Sequence, residues 1–528
     1  MTNSIEDIGE AKAFFIMGSN TSETHPVISY QVRKAVRNGA ALIVADPRKI
    51  RMAEHADVFL QIKPGSNTAL LLGMAKVIVD EKLYNEGFLQ ERVEGFDEYV
   101  ASLEDINLET AAEITGVPAA DIAKAARLYA ENSPAAILYA MGITQHSQGT
   151  ENVMSLANLA TLTGNLGIRG GGVNPLRGQN NVQGAGDMGT LPNLFPGYQP
   201  VTSPEANKKF SEAYGADIPA EPGLPMTEMF RKALTGDIKA FYIMGENPVM
   251  SEPDSSETRE ALEKMEFVVS QDIFLNETGA YADVVLPAAS FAEKDGTFVN
   301  TERRIQRIRK VVSSPGEARS DMEILCGVGS RMGLKGFDFD NPSDVMDEIA
   351  SLTPIYGGIS YDRLGREGLN WPCPTIDHPG TPILHTESFP RESGKALLKV
   401  TSYKPPNESP DEEYPFILTT GRVLYHYHTG TMTRKVDGLN SLHGEEKVWL
   451  NVEDAKEMGV EEGGKIRIKS RRGEVTTGVN ISDGIKPGTV FMTFHFAETC
   501  ANELTNPAFD PVAKIPELKN CAVHVERA

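Results

Sequence analysis

One alternation of apolar and polar positions is written twice along the chain, on nearly the same ruler. The first copy runs AFFIMGSN at 13–20, ALIVADPR at 41–48 and ADVFL at 56–60; the second runs AFYIMGEN at 240–247, FVVSQDIF at 267–274 and ADVVL at 282–286. Asn20, Asp46 and Asp57 fall into step with Asn247, Asp272 and Asp283, at intervals of 26 and 11 in one copy and 25 and 11 in the other. Each leading run ends in a glycine, Gly18 or Gly245, and a short polar side chain. That is how a buried parallel strand presents polar groups at its carboxyl edge, where open α/β sheets bind nucleotides. Two such units suit two similar ligands, or one ligand with two similar halves.

Helical spacing fills the gaps between these strands. Ile28, Val32, Ala35 and Val36 mark a helix over Pro26–Asn38 that Gly39 stops, and further helices are predicted over Thr68–Glu81, Pro118–Glu131, Val153–Thr163 and Asp254–Met265. A strand at 136–142 belongs to the first copy. Residues 1–179 and 180–341 therefore read as two related, doubly wound (Rossmann-like) α/β domains, followed by a Pro- and Gly-rich connecting region at 342–404. Between 164 and 198 the density of Gly, Asn and Pro predicts a long stretch with almost no helix or strand, of the kind that is usually functional. From 405 to 528 the grammar is β: FILTTGR, KVWLNV, GKIRIKS, GEVTTGV and GTVFMTFHF are short strands, with a helix at Asp454–Met458 closed by Gly459. A compact β-barrel of mixed pairing suits them.

Charge and cysteine usage narrow the function classes. The 528 residues carry 51 Lys plus Arg against 73 Asp plus Glu, a formal charge of -22, which disfavours nucleic acid or an anionic membrane as partner. The four cysteines are scattered without CxxC spacing, so neither a disulfide framework nor a cluster site is written here, and a reducing, cytoplasmic setting is expected. No apolar run approaches the roughly 18 residues that span a bilayer, and MTNSIEDIGE has no signal-peptide pattern. Walker, GxSxG and HExxH motifs are all absent, which lowers the prior for ordinary NTPase, hydrolase and zinc-protease chemistry.

The densest candidate chemistry is NPLRGQNNVQGAGDMG at 174–189. Arg177 stands on a backbone whose glycines permit close approach, followed by amides at Gln179, Asn180, Asn181 and Gln183 that suit a polar heterocycle. A guanidinium there can grip a small carboxylate with both arms; a structural loop whose Arg pairs with a surface acid is the plain alternative. Asn20 and Asn247 read as turn residues singly and as ligand contacts through their repetition. Asp46 and Arg48 fit a guanine or ribose edge and a phosphate, or else a helix cap and an ion pair; Gln271 and Asp272 hold the equivalent step. His426 and His428 share one face if 419–434 is extended, but with no third ligand nearby the lining of a cofactor pocket is the better reading, and no protein-held metal is expected. His146, His443 and His495 are expected to make ordinary hydrogen bonds, and Trp371-Pro372-Cys373-Pro374 to be structural.

Over essentially its whole length the chain resembles the large (alpha) subunit of formate dehydrogenases in the molybdopterin oxidoreductase family, carried by GVNPLRGQNNVQGAGDMG, MGITQHSQG, YIMGENP, QDIF and ADVVLPA. The resemblance implies a molybdenum or tungsten ion held by two molybdopterin guanine dinucleotides (bis-MGD), each α/β domain taking one nucleotide arm and a barrel of double-psi type closing over both. It makes Arg177 the residue that orients formate and sets Gln179 near the pterin. Gly18, Asn20, Asp46, Arg48 and Gln145 would line one arm; Gly245, Asn247, Ser251, Gln271, Asp272 and Asp321 the other. Arg422, His426, His428 and Lys519 would reach pterin or phosphate oxygens. It also implies electron-transfer iron-sulfur or flavin partner subunits.

The chain departs from that family in lacking the cysteine-rich 4Fe-4S segment and the selenocysteine or cysteine that ligates the metal. A selenocysteine codon read as stop, with translation called from an internal methionine, would account for this. On that reading MTNSIEDIG lies mid-helix, the iron-sulfur cluster belongs to a missing N-terminal segment, and the isolated chain is inactive. The rivals are a two-pterin nitrate reductase, and a non-catalytic scaffold like the large subunit of respiratory NADH dehydrogenase or a decayed gene product.

Overall fold

The computed structural model describes residues 1–528, which fall into two compact units. The first comprises Met1–Gly178, Met250–Ser256 and Ile383–Ala528; the second comprises Gln179–Val249 and Glu257–Pro382. In the first, β1 (Ala13–Met17), β2 (Ala41–Ala45), β3 (Val58–Leu60), β4 (Ala135–Tyr139) and β5 (Val173–Pro175) form a wholly parallel sheet in the order β3-β2-β1-β4-β5. The longest helices are α1 (Pro26–Arg37), α2 (Asn67–Asp80), α3 (Ala119–Glu131) and α4 (Gly149–Leu162). Phe15 and Met17 of β1 share a core with Leu71 of α2, Ala126 of α3 and Leu159 of α4, whereas Phe14 and Ile16 share another with Ile28 and Val32 of α1. Burial on both faces is why the strand is apolar at every position.

In the second unit lie α5 (Val182–Asp187), α6 (Met226–Leu234), β6 (Ala240–Met244), all but the first two residues of α7 (Ser255–Glu263), β7 (Phe267–Asp272) and β8 (Val284–Pro287), the three strands pairing in parallel in the order β8-β7-β6. Phe230 of α6 and Leu262 of α7 pack with Val268 on one face; the other leaves Tyr242, Met244 and Phe267 exposed. The in-step aspartates explain the shared ruler. Asp57 accepts from the Leu42 N–H at 2.9 Å while its own N–H donates to Leu42 O, and Asp283 accepts from the Val268 N–H at 2.7 Å while donating to Val268 O. Each locks the start of its strand to its neighbour, a structural task. Next come β9 (Gly296–Val299), β10 (Arg304–Ile308), α8 (Asp321–Arg331), α9 (Pro342–Leu352) and β11 (Leu369–Asn370), with β9-β10-β11 antiparallel. The Pro- and Gly-rich stretch from 342 thus carries a helix of its own, opened by Pro342 and an Asn341–Asp344 capping box.

The last segment is β12 (Phe416–Gly421), β13 (Lys447–Asn451), α10 (Val452–Met458), β14 (Lys465–Lys469), β15 (Glu474–Ser482), β16 (Thr489–Thr493) and β17 (Cys521–Arg527). They close into a barrel in the order β12-β16-β13-β15-β14-β17, with β12–β16 and β13–β15 parallel and the other pairs antiparallel. The expected mixed barrel is present, with one strand more than the sequence pattern marks. Cys521, Val523 and Val525 of β17 face its core.

Three local expectations need correction. The stretch 164–198 is not free of elements: Val173-Asn174-Pro175 adds to the edge of the first sheet, fixed by Ile137 N–H to Gly172 O at 3.0 Å and Leu176 N–H to Tyr139 O at 2.7 Å, and α5 follows. The helix placed at 153–163 begins at Gly149. Residues 1–6 are not helical; Thr2 N–H donates to Val173 O at 3.2 Å and Asn3 Nδ2 donates to Ile168 O at 2.8 Å, so the segment runs beside β5 before a single 3₁₀ turn at Asp7–Glu10. No helix of the structure is long and apolar enough to cross a membrane.

Candidate functional site

The first sheet reverses its strand order between β1 and β4, and at that point the carboxyl ends of the two strands part to leave a crevice. The two following turns touch backbone to backbone. Gly142 N–H donates to Gly18 O at 3.0 Å, and a Cβ on Gly142 would lie 2.6 Å from Gly18 Cα. Gly18 itself has φ +58. Neither backbone has room to move, so Gly142→Ala is expected to destabilise the unit by about 2 kcal/mol and lower its Tm by about 4–8 °C, read by thermal unfolding. An unchanged Tm would show that the crevice floor yields.

Gly18, Asn20, Asp46, Arg48, Gln145, Arg422 and Lys519 all line this crevice, which encloses about 880 Å³ counting its open mouth. That is within the range of small-molecule sites. The barrel supplies part of the wall: Arg422 follows β12, and Lys519 precedes β17 with its N–H on Gln145 O at 3.3 Å. The buried Arg48 and Lys519 and the half-buried Arg422 line the crevice with one carboxylate, Asp46, while Glu23 acts on Arg48 from outside the lining. Arg48 lies 3.8 Å above the Phe491 ring, Arg422 stands 5.4 Å from Phe494, and Lys519 Nζ donates to Thr420 O at 2.8 Å. Asp46 accepts from the Arg48 N–H at 2.9 Å. Burial pushes the Lys519 amine down to about 7, helped by the neighbouring Arg422 and Arg48 and opposed by Asp46. Burial likewise lowers Arg48 and Arg422 and raises Asp46. The crevice is thus short of negative charge.

It is also short of hydrogen-bond partners. Asn20 Oδ1 and His146 Nδ1 are buried and unpaired. His146 is pushed down to about 4 by burial and its Nε2 contacts Gly142 O at 2.9 Å, so Nε2 carries the proton and Nδ1 is left as an acceptor. An anionic ligand with N–H donors satisfies both deficits, as a nucleotide with a purine-like ring does.

Arg177 stands at the edge of the crevice between two lining residues, Leu176 and Gly178, and is itself exposed. Its carbonyl accepts from His25 Nε2 at 2.7 Å. Gly178 leaves space for Arg422: a Cβ there would lie 2.9 Å from Arg422 Nη1. Ser251, in the first unit, has a buried, unpaired hydroxyl.

The second unit places its candidates in two groups. Gln271 accepts from Tyr242 OH at 2.6 Å and donates to Asp321 at 2.8 Å, and Asp321 is paired with Lys294. Asn247, after Gly245 at φ +65, accepts from Thr278 Oγ1 at 2.7 Å and donates to Glu277 at 2.6 Å, while Asp272 accepts from Ile273 N–H and from Asn276 at 3.0 Å. Asn20 and Asn247 are equivalent in sequence but not in bonding, since one has an idle oxygen and the other is held to Thr278. Gln179 opens this unit. Of the amides after it, Asn181 accepts from the Val299 N–H at 2.9 Å, and Gln183 donates to Asp187 at 2.9 Å. These two are pins of the loop, not a row facing a heterocycle. The fully buried Asp187 also accepts from Tyr198, Tyr356 and Trp371, each at 2.7 Å, which gives Trp371 the structural role expected of it.

His426 and His428 do not lie on an extended strand. β12 ends at Gly421, and the chain then turns, with His428 at φ +47. His426 contacts Thr433 Oγ1 at 3.2 Å and packs against His443, His495 and Phe496, whereas His428 stands edge-on to Phe494 beside Arg422. No cluster of three or more His, Cys, Asp or Glu could hold a metal ion.

Comparison with known proteins agrees with this arrangement. Residues 1–331 match the molybdopterin oxidoreductase family and residues 416–522 the molydopterin dinucleotide binding domain. The chain is 49% identical over 528 residues to the F420-dependent formate dehydrogenase 1 subunit alpha of Methanococcus maripaludis, covering 100% of this chain and 78% of that protein. It is 38% identical over 538 residues to the assimilatory nitrate reductase catalytic subunit of Bacillus subtilis, covering 99% of this chain and 76% of that one. The acetylene hydratase of Pelobacter acetylenicus shares the fold, with a TM-score of 0.75 at 20% identity, over 100% of this chain and 79% of that one. The crevice, the barrel and these matches together show that the chain belongs to the molybdopterin oxidoreductase family.

Proposed function

We propose that the chain oxidises formate to carbon dioxide, or runs the reverse reaction, around a molybdenum or tungsten ion held by two molybdopterin guanine dinucleotides. The observation that carries the reading is the excess positive charge lining the β1–β4 crevice, where Arg48, Arg422 and Lys519 face one lining carboxylate, Asp46, with Glu23 reaching Arg48 from outside it. A dinucleotide's phosphates supply the missing charge, and guanine or pterin N–H groups the donors that Asn20 and His146 lack. The bound group supplies two-electron redox chemistry.

The remaining tasks fall to the chain. Arg177 binds the carboxylate of formate with both guanidinium arms and orients its C–H, while Gln179 sits beside the pterin. Gly18, Asn20, Asp46, Arg48 and Gln145 hold one nucleotide arm; Gly245, Asn247, Ser251, Gln271, Asp272 and Asp321 hold the other. Arg422, His426, His428 and Lys519 meet pterin and phosphate oxygens. Formate gives up two electrons and a proton as carbon dioxide leaves. The four cysteines are not gathered at a site, so an iron-sulfur cluster would have to be held by other polypeptide, and iron-sulfur or flavin partner subunits would take the electrons onward.

The 38% identity to a nitrate reductase favours a second reading, in which the same guanidinium meets nitrate. Both readings are tested on the natural complex. Acid hydrolysis is expected to release two GMP per molybdenum or tungsten, and formate is expected to reduce a viologen dye. Oxidation of reduced dye by nitrate with no response to formate would select the second reading, and absence of both metal and nucleotide would leave a scaffold.

A further inference from the structure

We propose that His25 is the positioning residue that sets Arg177, with Thr24 holding the far side of its ring. The inference rests on the reading of Arg177 as the formate-binding group. Sequence places the two residues 152 positions apart, yet His25 Nε2 lies 2.7 Å from Arg177 O. A carbonyl only accepts, so Nε2 carries the proton. The other ring nitrogen, Nδ1, is then an acceptor and lies 2.8 Å from Thr24 Oγ1, whose single hydroxyl proton donates to it. Thr24, His25 and Arg177 are thus joined end to end.

His25 is held for this task. It separates the short helix Thr21–Thr24 from α1 at φ −138 and ψ 61, so its ring leaves the backbone at a corner and is not carried on a helix face. Thr24, His25 and Gly178 all line the crevice. On the other side, Leu176 N–H is tied to Tyr139 O at 2.7 Å. The Pro175–Leu176 peptide is therefore tied to β4 and the peptide after Arg177 to His25, and these two ties on either side set the direction in which the guanidinium leaves the chain. Burial lowers the His25 pKa, opposed by the bond to the Arg177 carbonyl and helped by the Arg422 charge, so the ring is neutral near pH 7 and adds no positive charge beside Arg177.

The test reads Arg177 directly. In the cofactor-loaded complex, the rate at which phenylglyoxal modifies Arg177 is followed by peptide mass spectrometry as formate is added. Formate is expected to protect Arg177 in the unmutated protein. His25→Ala and His25→Asn are expected to raise the half-protecting formate concentration roughly tenfold, because a misdirected guanidinium loses one arm of its grip. His25→Gln, whose amide nitrogen overlays Nε2, is expected to restore it to within about threefold. The KM for formate is expected to follow the same order. Protection in His25→Ala equal to that of the unmutated protein would overturn the proposal, as would equal behaviour of the Asn and Gln variants, since packing alone does not tell them apart. Loss of formate protection in the unmutated protein would remove the Arg177 reading, and this inference with it.

Discussion

Arg177→Ala is expected to lower kcat/KM for formate by two to three orders of magnitude in the natural complex. Two charge-assisted hydrogen bonds from one planar fork to a carboxylate are together worth about 3–4 kcal/mol, and each 1.36 kcal/mol is a factor of about ten in rate. A second contribution comes from geometry, because formate has no other group by which its C–H can be aimed. Arg177→Lys keeps the charge but offers a point donor in place of a fork, so it is expected to recover only part of the loss. The backbone at 177 need not suffer: its ties run through Leu176 N–H and the Arg177 carbonyl, and the side chain is exposed. Cofactor content measured alongside should therefore be unchanged. Formate oxidation by Arg177→Ala within threefold of the unmutated rate would end the carboxylate reading, and a simultaneous loss of bound nucleotide would reassign Arg177 to the cofactor.

What was legible in the sequence follows from the range of the interactions. β1, β2 and β4 are continuous apolar runs because they are buried on both faces, and the Asp57 and Asp283 bonds that fix the shared ruler span only 15 residues each. Local periodicity and turn chemistry report such features well. β5 was hidden because three residues between glycine turns carry no period, and β17 because a single alternating run at the end of the chain has no neighbour to set it against. The candidate site divides in the same way. Asn20, Asp46 and Arg48 sit at strand ends and could be marked from the repeat, whereas Arg422 and Lys519 were reached through family resemblance alone. No pattern announces that residues 145 and 519 share a hydrogen bond. The extended face that would pair His426 with His428 does not form, because the chain turns at His428. His25 has no signal of its own, since its partner lies at 177.

Lys519→Met is expected to act in opposite directions on the empty chain and on the loaded one. In the absence of ligand, the Lys519 amine is buried between Arg422 and Arg48 and is held down to about 7, against about 10.4 for a free lysine. A folded pKa below the unfolded one means that the unfolded chain binds the proton more tightly. The resulting cost is therefore full below about pH 7, shrinks as pH rises, and disappears above about pH 10.4. Its size is on the order of 4 kcal/mol, offset by about 1 kcal/mol for the bond to Thr420 O that the substitution would break. The cofactor-free variant should therefore unfold at a higher temperature than the unmutated chain at pH 6–7, with the difference closing as pH approaches 10. Bound phosphates reverse the balance, because they take up the charge that the empty crevice cannot and make the amine a strong donor. The same variant is then expected to lose affinity for the nucleotide by about a hundredfold, seen as substoichiometric GMP after purification. A cofactor-free Lys519→Met no more stable than the unmutated chain at neutral pH, or one that still purifies with full nucleotide, would mean that this cation is already compensated and that the crevice is not built around an absent anion.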